Sequence, residues 1–242
     1  MNSQADRYDD RFTATRWSMV MQFANESGGA RDALGELARR YWYPVYVYLR
    51  RCGHAPAAAA DLARRFLRQL VSATAAERSQ PAKGHYRSYL LAQLREFLAS
   101  KRDALVMASA NDDPQMPADL EERYQRDHVD AASPEEGYQR AFALQVLHRT
   151  LRRLRSEARQ TGHLPMYERL EPFLARDAAP GEYATVAADL RTRPLVLVMA
   201  IKRLRQRFRE LAAEELADTV ATVADLTAEQ DALLGVLGKS GA

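Results

Sequence analysis

Apolar side chains recur every three or four residues through most of this chain, and that spacing is its strongest constraint on the fold. In the stretch RPLVLVMAIKRLRQRFREL the steps are four, three, four and three, through Leu197, Ile201, Leu204, Phe208 and Leu211. On an α-helix such residues form one buried stripe. Strand-like alternation is scarce, and 242 residues include only 11 glycines and 10 prolines. The sequence therefore predicts an all-α protein.

The first half of the chain predicts a helical domain over residues 12–108. A first helix is expected in TRWSMVMQFA, and a second in GGARDALGELARRYWYPVYVYLRRCG, where Pro44 should start or kink a following turn and Gly53 should end the element. Pro56 suits the first turn of APAAAADLARRFLRQLV. A further helix is expected in HYRSYLLAQLREFLASKRDALVMASA, with these side chains inward: Tyr86, Leu90, Leu94, Phe97 and Leu98.

The second half predicts a polar linker, another helical domain and a tail. Residues 109–134 are proline-containing and polar, with one short turn around LEERY, and read as a linker. Residues 135–217 hold several helical stripes, and 218–242 form a tail with an amphipathic segment, DLTAEQDALLGVL. Within 135–217, GEYATVAADL and the RPLVLVMAIKRLRQRFREL stretch are separated by about three or four residues, which is typical of a helix-turn-helix.

Several classes of chemistry are unsupported. The single cysteine, Cys52, excludes an intrachain disulfide framework, and the five histidines contain no pair spaced four apart for a helical metal site. Acidic neighbours such as Glu121 and Glu122 point in different directions on a helix. We therefore expect no enzyme activity, no cofactor and no metal.

The charge and apolar runs bear on the compartment and partners. No apolar run approaches the roughly 20 residues that a membrane helix needs, and the polar first residues do not resemble a signal peptide. We expect a cytoplasmic protein with no membrane partner. The formal net charge of +3 is compatible with nucleic-acid or acidic-protein partners.

Basic residues are interleaved with the apolar stripe of the last long helix. They can meet phosphate oxygens of DNA, each contact releasing counterions. The alternative is a solvated basic face that acids of neighbouring helices partly neutralise. The residues concerned are Lys202, Arg203, Arg205, Arg207 and Arg209.

The chain resembles a divergent bacterial sigma-70 family factor of the extracytoplasmic-function type, in a group often encoded beside Ser/Thr kinases. The resemblance runs in order from about Thr15 to Leu216, through TRWSMV, LARRYWYPVYVYLRRCGH, ADLARRFLRQL, RSYLLAQLREFLASKRD, LEERY, SPEEGYQRAFAL, YERLEPFL and YATVAADL…AIKRLRQRFREL. It implies a region two-like domain that binds the RNA polymerase clamp and opens the promoter −10 element. It also implies a region four-like helix-turn-helix that binds the polymerase flap and the −35 element.

Carried onto this chain, the resemblance assigns site residues. The implied polymerase-binding residues are in the helix of APAAAADLARRF and its continuation: Asp61, Arg64, Arg65 and Arg68. The implied promoter-binding residues are Lys101, Arg102, Arg191, Arg193, Lys202, Arg203 and Arg205. The implied partners are core RNA polymerase and promoter DNA, with an anti-sigma factor or a Ser/Thr kinase as regulator.

The polymerase-binding helix departs from the family pattern. Asp61 is the one acid that it retains, the three arginines bring the opposite sign, and Ala63 stands where the family usually has threonine. Charge reversal across a polar interface slows encounter and can cost several kcal/mol. In kinase-linked relatives a phosphothreonine is thought to supply the missing negative charge.

The promoter-binding segments depart as well. After Lys101 and Arg102 the usually basic segment reads ALVMASAN. Earlier in the same predicted helix as Lys101, Tyr86 and Tyr89 can either stack on flipped bases or fill the core. The recognition helix begins with apolar side chains, which can contact only the methyl groups of thymines. An apolar patch beside a basic one more often marks a protein contact. Those residues are Leu195, Val196, Val198 and Met199.

Two functions follow from these observations. The first is a sigma-like initiation factor that recruits core polymerase to promoter DNA under regulation. The second is a sigma-like protein that works through protein contacts, as a regulator or kinase partner, with weak or no promoter reading.

Overall fold

The protein is all-α throughout its described part. A computed structural model describes residues 29–72, 86–101, 119–127 and 131–217, and in these ranges eight α-helices and a 3₁₀ turn occur without a β-strand. The helices are α1 Gly29–Arg51, α2 Pro56–Ser72, α3 Tyr86–Lys101, α4 Leu120–Asp127, α5 Pro134–Gln160, α6 Leu164–Leu170, α7 Glu182–Asp189 and α8 Pro194–Ala217, with the 3₁₀ turn Glu171–Leu174 after α6. The predicted helix in TRWSMVMQFA, the tail 218–242 and Arg102 lie outside these residues.

Helix α1 continues through Pro44, so the prediction that this proline starts a following turn was wrong. Every residue from Tyr41 to Leu49 is buried, and packing on all sides stabilises the helix against the local cost of proline. The predicted end at Gly53 is confirmed. Gly53 has φ of 92°, and the amide of His54 donates to the carbonyl of Leu49 at 3.2 Å, as in a Schellman C-cap.

The chain divides into two compact units at a point inside α5. The first unit holds the described residues up to Gln145 together with Leu216 and Ala217, and the second unit is Val146–Glu215. The predicted limits 12–108, 109–134 and 135–217 stay predictions. No helix among the described residues is long and apolar enough to cross a membrane.

The first unit is built on aromatic packing between α1, α2, α3 and the start of α5. The ring of Tyr41 stacks on Phe142 with centroids 5.5 Å apart and meets Tyr86 edge-on at 5.6 Å. The rings of Phe66 in α2 and Phe97 in α3 are also 5.5 Å apart. Tyr86 is only 8% exposed, which favours the core over base stacking for this residue.

Helix α4 lies inside the segment predicted as a linker, and polar contacts hold it against α1. The guanidinium of Arg50 donates to both carboxylate oxygens of Glu121, at 3.0 and 2.9 Å, and the hydroxyl of Tyr46 donates to the same carboxylate. At the other end, Tyr43 donates to Asp127 at 2.7 Å. Part of the polar segment is therefore an integral piece of the first unit.

The second unit has two apolar clusters that fix α8. Leu197 and Ile201 are buried with Leu170 and Phe173, and Leu211 is buried with Leu154 and Tyr167. Farther along α8, Arg153 of α5 donates to Glu214 and Glu215 at 2.5 and 3.0 Å. The buried face predicted from the three-and-four spacing is thus confirmed at Leu197, Ile201 and Leu211, while Leu204 and Phe208 are half-buried.

Candidate nucleic-acid interface

Helices α7 and α8 form the two-helix element predicted from the sequence, with residues 190–193 between them. The carboxylate of Glu182 links the first turn of α7 to the segment before it. Glu182 accepts two hydrogen bonds from Arg176, at 2.8 and 2.6 Å, and one from the backbone amide of Ala179 at 2.8 Å. These donors favour the ionised form, so Arg176 first and Ala179 second lower the pKa of Glu182 to about 2.

The joint between the two helices ends α7 in a Schellman motif with arginine at the left-handed position. The amide of Thr192 donates to the carbonyl of Ala187 at 2.9 Å, and the amide of Arg191 to that of Ala188 at 3.0 Å. Arg191 has φ of 50°, the one positive φ at a residue other than glycine within the described ranges. At the equivalent position after α5 the chain uses Gly162, with φ of 75°. Arginine here costs local stability that glycine would restore.

Four cations with solvent-exposed side chains flank the first two turns of α8. Arg191 and Arg193 lie in the joint, and Lys202 and Arg203 lie two turns into the helix; all four are exposed. None of them forms an ion pair with any other residue that the structure describes. Unpaired exposed cations are available to phosphate oxygens without breaking an existing contact.

Arg205, by contrast, is engaged inside the second unit. Its Nε donates to the carbonyl of Phe173 at 3.0 Å, and its terminal nitrogen donates to the carbonyl of Arg176 and to Asp177, at 3.0 and 2.8 Å. This side chain ties α8 to the end of the 3₁₀ turn. A phosphate contact by Arg205 would compete with these three hydrogen bonds.

Arg207 is neutralised in the same way. It donates to both oxygens of Glu157 in α5, at 2.9 and 2.7 Å, and to Glu210 at 3.0 Å. The Glu157 carboxylate, followed by Glu210, raises the pKa of Arg207, and Arg207 in turn lowers the pKa of Glu157. The two readings of the basic face thus each describe a part of it: neighbouring acids pair Arg205 and Arg207, whereas Lys202 and Arg203 are exposed and unpaired among the described residues.

The first two turns of α8 expose the apolar residues singled out in the sequence. Leu195 is 73% exposed, Val196 47%, Val198 43% and Met199 47%. Leu197 between them is fully buried. The apolar start of α8 is therefore a surface, and only Leu197 serves the core there.

The predicted polymerase-binding residues lie together on α2, but the acid among them is already paired. Asp61 forms an ion pair with Arg65 one turn along the helix, at 2.8 Å. Arg64, Arg65 and Arg68 are half-buried, and each of them takes part in at least one interaction. Ala63 is fully buried, so this position, where the sigma factors that the chain resembles usually have threonine, lies in the core.

The other predicted promoter contacts stay untested. Lys101 is the last residue of α3, its side chain lies outside the described part, and Arg102 follows it there. Across the described residues, no group of three or more metal-ligating side chains comes together.

Arg191→Gly is expected to raise stability and weaken DNA binding at once. Glycine takes the left-handed φ without strain, so the second unit should gain about 1 kcal/mol, while one cation leaves the interface. Thermal unfolding by circular dichroism and duplex affinity at several salt concentrations measure the two effects. Gly162→Arg, at the matching position after α5, should destabilise instead. A lower melting temperature for Arg191→Gly would contradict the strain argument.

Comparison of the chain with family models, with curated proteins and with solved structures finds no match.

Proposed function

We propose that this chain is a sigma-like transcription initiation factor that recruits core RNA polymerase to promoter DNA. The observation that carries the proposal is a set of four exposed cations on either side of the first two turns of α8, none of them paired with another described residue; α8 is the second helix of a helix-turn-helix. In such motifs the second helix enters the major groove by its N-terminal end, and backbone phosphates flank it on both sides. Arg191, Arg193, Lys202 and Arg203 would contact those phosphates from the two ends of this segment.

Polymerase contact is assigned to the first unit by resemblance, through the α2 surface that carries Asp61, Arg64, Arg65 and Arg68. The Asp61–Arg65 ion pair leaves this surface without a free carboxylate among these four residues. An acidic modification or an acidic partner would supply the missing negative charge. This supports a factor whose polymerase binding is regulated, with a Ser/Thr kinase or an anti-sigma factor as the regulator in the cytoplasm.

A second candidate function is favoured by the four exposed apolar residues at the start of α8. A sigma-like protein that acts through protein contacts would use this patch as an interface, since contiguous exposed apolar side chains commonly mark one. Under this candidate, Val198→Asp should release bound polymerase or kinase while the helical circular dichroism stays unchanged. Promoter reading would be weak or absent.

Run-off transcription tests the first candidate against the second. Bacterial core polymerase, the full chain and pooled templates with randomised upstream sequence are combined with and without a Ser/Thr kinase, and the RNA products are sequenced. We expect products that depend on the protein and map to a common upstream sequence. Polymerase binding without any such product, in both arms, would favour the second candidate.

Two matched variants connect the outcome of this assay to α8. Arg203→Ala should reduce the product and lower the slope of log affinity against log salt by about 1, because one phosphate contact is lost. Arg152→Ala removes the same charge from an exposed position on α5 and should leave both unchanged. Equal effects of the two variants would show that net charge alone is responsible.

A further inference from the structure

The start of α8 is a convex ridge whose exposed surface is largely apolar. At 100° per residue, its four exposed apolar side chains spread over about 160° of the helix circumference. Leu195 and Met199 lie nearly opposite the buried stripe, and Val196 and Val198 flank them. A ridge of this shape needs a concave partner, and burial of its side chains is favourable in any apolar surroundings.

The charges that flank this ridge along the chain, from Leu190 to Arg203, are all of one sign. From Leu190 to Arg203 the chain contains four cations and no acid, and all four cations are exposed. Two copies packed ridge to ridge would bring these cations together, so a second copy of this chain is disfavoured. The occupant must carry negative charge on both sides of a groove with apolar groups at its floor.

The major groove of thymine-rich DNA has this chemistry. It is about 12 Å wide, admits an α-helix and is bordered by phosphates. The apolar group on its floor is the C5-methyl of thymine. Among the side chains that hydrogen-bond base edges, Asn, Gln, Ser, Asp and Glu are absent from residues 194–203; Lys202 and Arg203 lie two turns into the helix, and Arg193 precedes it.

We infer that α8 recognises its promoter through thymine methyl groups, read by Leu195, Val196, Val198 and Met199, while the surrounding cations bind phosphates. This inference rests on the proposed function and extends it by naming what is read in the DNA. The target is an A·T-rich duplex in which the positions of methyl groups, more than base hydrogen bonds, set the affinity.

Replacing thymidine by deoxyuridine tests the inference directly, because uracil pairs with adenine as thymine does and lacks only the methyl group. The full chain first selects binding sites from randomised 20-base-pair duplexes. Each thymidine of an enriched site is then replaced in turn, and affinity is measured. We expect about a four-fold loss at each of two or more positions, the effect of one apolar carbon left unburied.

Variants assign the effect to the ridge. Leu195→Ala and Met199→Ala should bind the thymidine and deoxyuridine duplexes more nearly alike, with unchanged circular dichroism since both side chains are exposed. Gln206→Ala, an exposed position farther along α8, should keep the wild-type preference.

The outcomes separate this inference from the proposed function. Enriched duplexes that bind equally well with uracil would overturn methyl reading and leave promoter binding intact. If no duplex is bound, both fail; loss of polymerase binding in Leu195→Ala would then assign the ridge to a protein partner.

Discussion

Leu197→Ala is expected to destabilise the second unit by about 3 kcal/mol, whereas Leu195→Ala, two residues earlier, should change its stability by less than about 0.5 kcal/mol. Leu197 is fully buried against Leu170, Phe173 and Ile201, so truncation removes apolar contacts and leaves a cavity. Leu195 is 73% exposed and has few contacts to lose. The two variants delete the same atoms from positions two residues apart in one helix, on opposite faces.

Denaturant unfolding of both variants, followed by helical circular dichroism, measures the contrast. If both variants lost about 3 kcal/mol of unfolding free energy, the start of α8 would be buried on all sides. It could then not serve as an exposed interface. A negligible effect of Leu197→Ala would place the buried stripe elsewhere on the helix.

The buried face of α8 was predictable because it depends on local spacing alone. Leu197, Ile201 and Leu211 repeat with the period of a helix, and the structure buries all three. The exposure of Leu195 and Met199 follows from the same geometry, since they lie opposite that stripe. The continuation of α1 through Pro44 was not predictable in this way. The tendency of proline to interrupt a helix is outweighed there by burial of the residues around it, which depends on tertiary packing and not on local spacing.

The pairing of individual arginines was not predictable from the sequence. Arg203, Arg205 and Arg207 look alike along the chain, yet Arg205 binds carbonyls around residue 175 and Arg207 binds Glu157, 50 residues away. Such contacts depend on which helices meet and in what register. The sequence gives only a weak indication of these contacts. Glu157 lies on a helical stripe of α5 that also carries Arg149 and Arg153, and such a mixed stripe is typical of a face that pairs with both acidic and basic side chains.

Glu121→Ala is expected to cost the first unit about 2 kcal/mol, because it removes the carboxylate that holds α4 against α1. Arg50 would keep its charge at 18% side-chain exposure without a counter-ion, and Tyr46 would lose its acceptor. Breaking a fully buried pair costs about 3 to 5 kcal/mol, and the 34% exposure of Glu121 reduces that figure. Glu122→Ala, next to it and exposed, is the matched control and should have little effect.

The acid dependence of this contact has a definite sign. Burial by itself raises the pKa of Glu121, but hydrogen bonds from Arg50, Tyr46 and Gln125 outweigh it and hold the pKa below the ordinary 4.5. A lowered pKa in the folded state means that the contact stabilises above pH 4.5 and is lost as the pH falls through the lowered value. The stability gap between the wild type and Glu121→Gln should therefore be wide at pH 7 and narrow towards pH 3. A gap that stays constant over this range, or hydrogen exchange in α4 that is as fast in the wild type as in Glu121→Ala, would mean that the ion pair does not hold this helix in place.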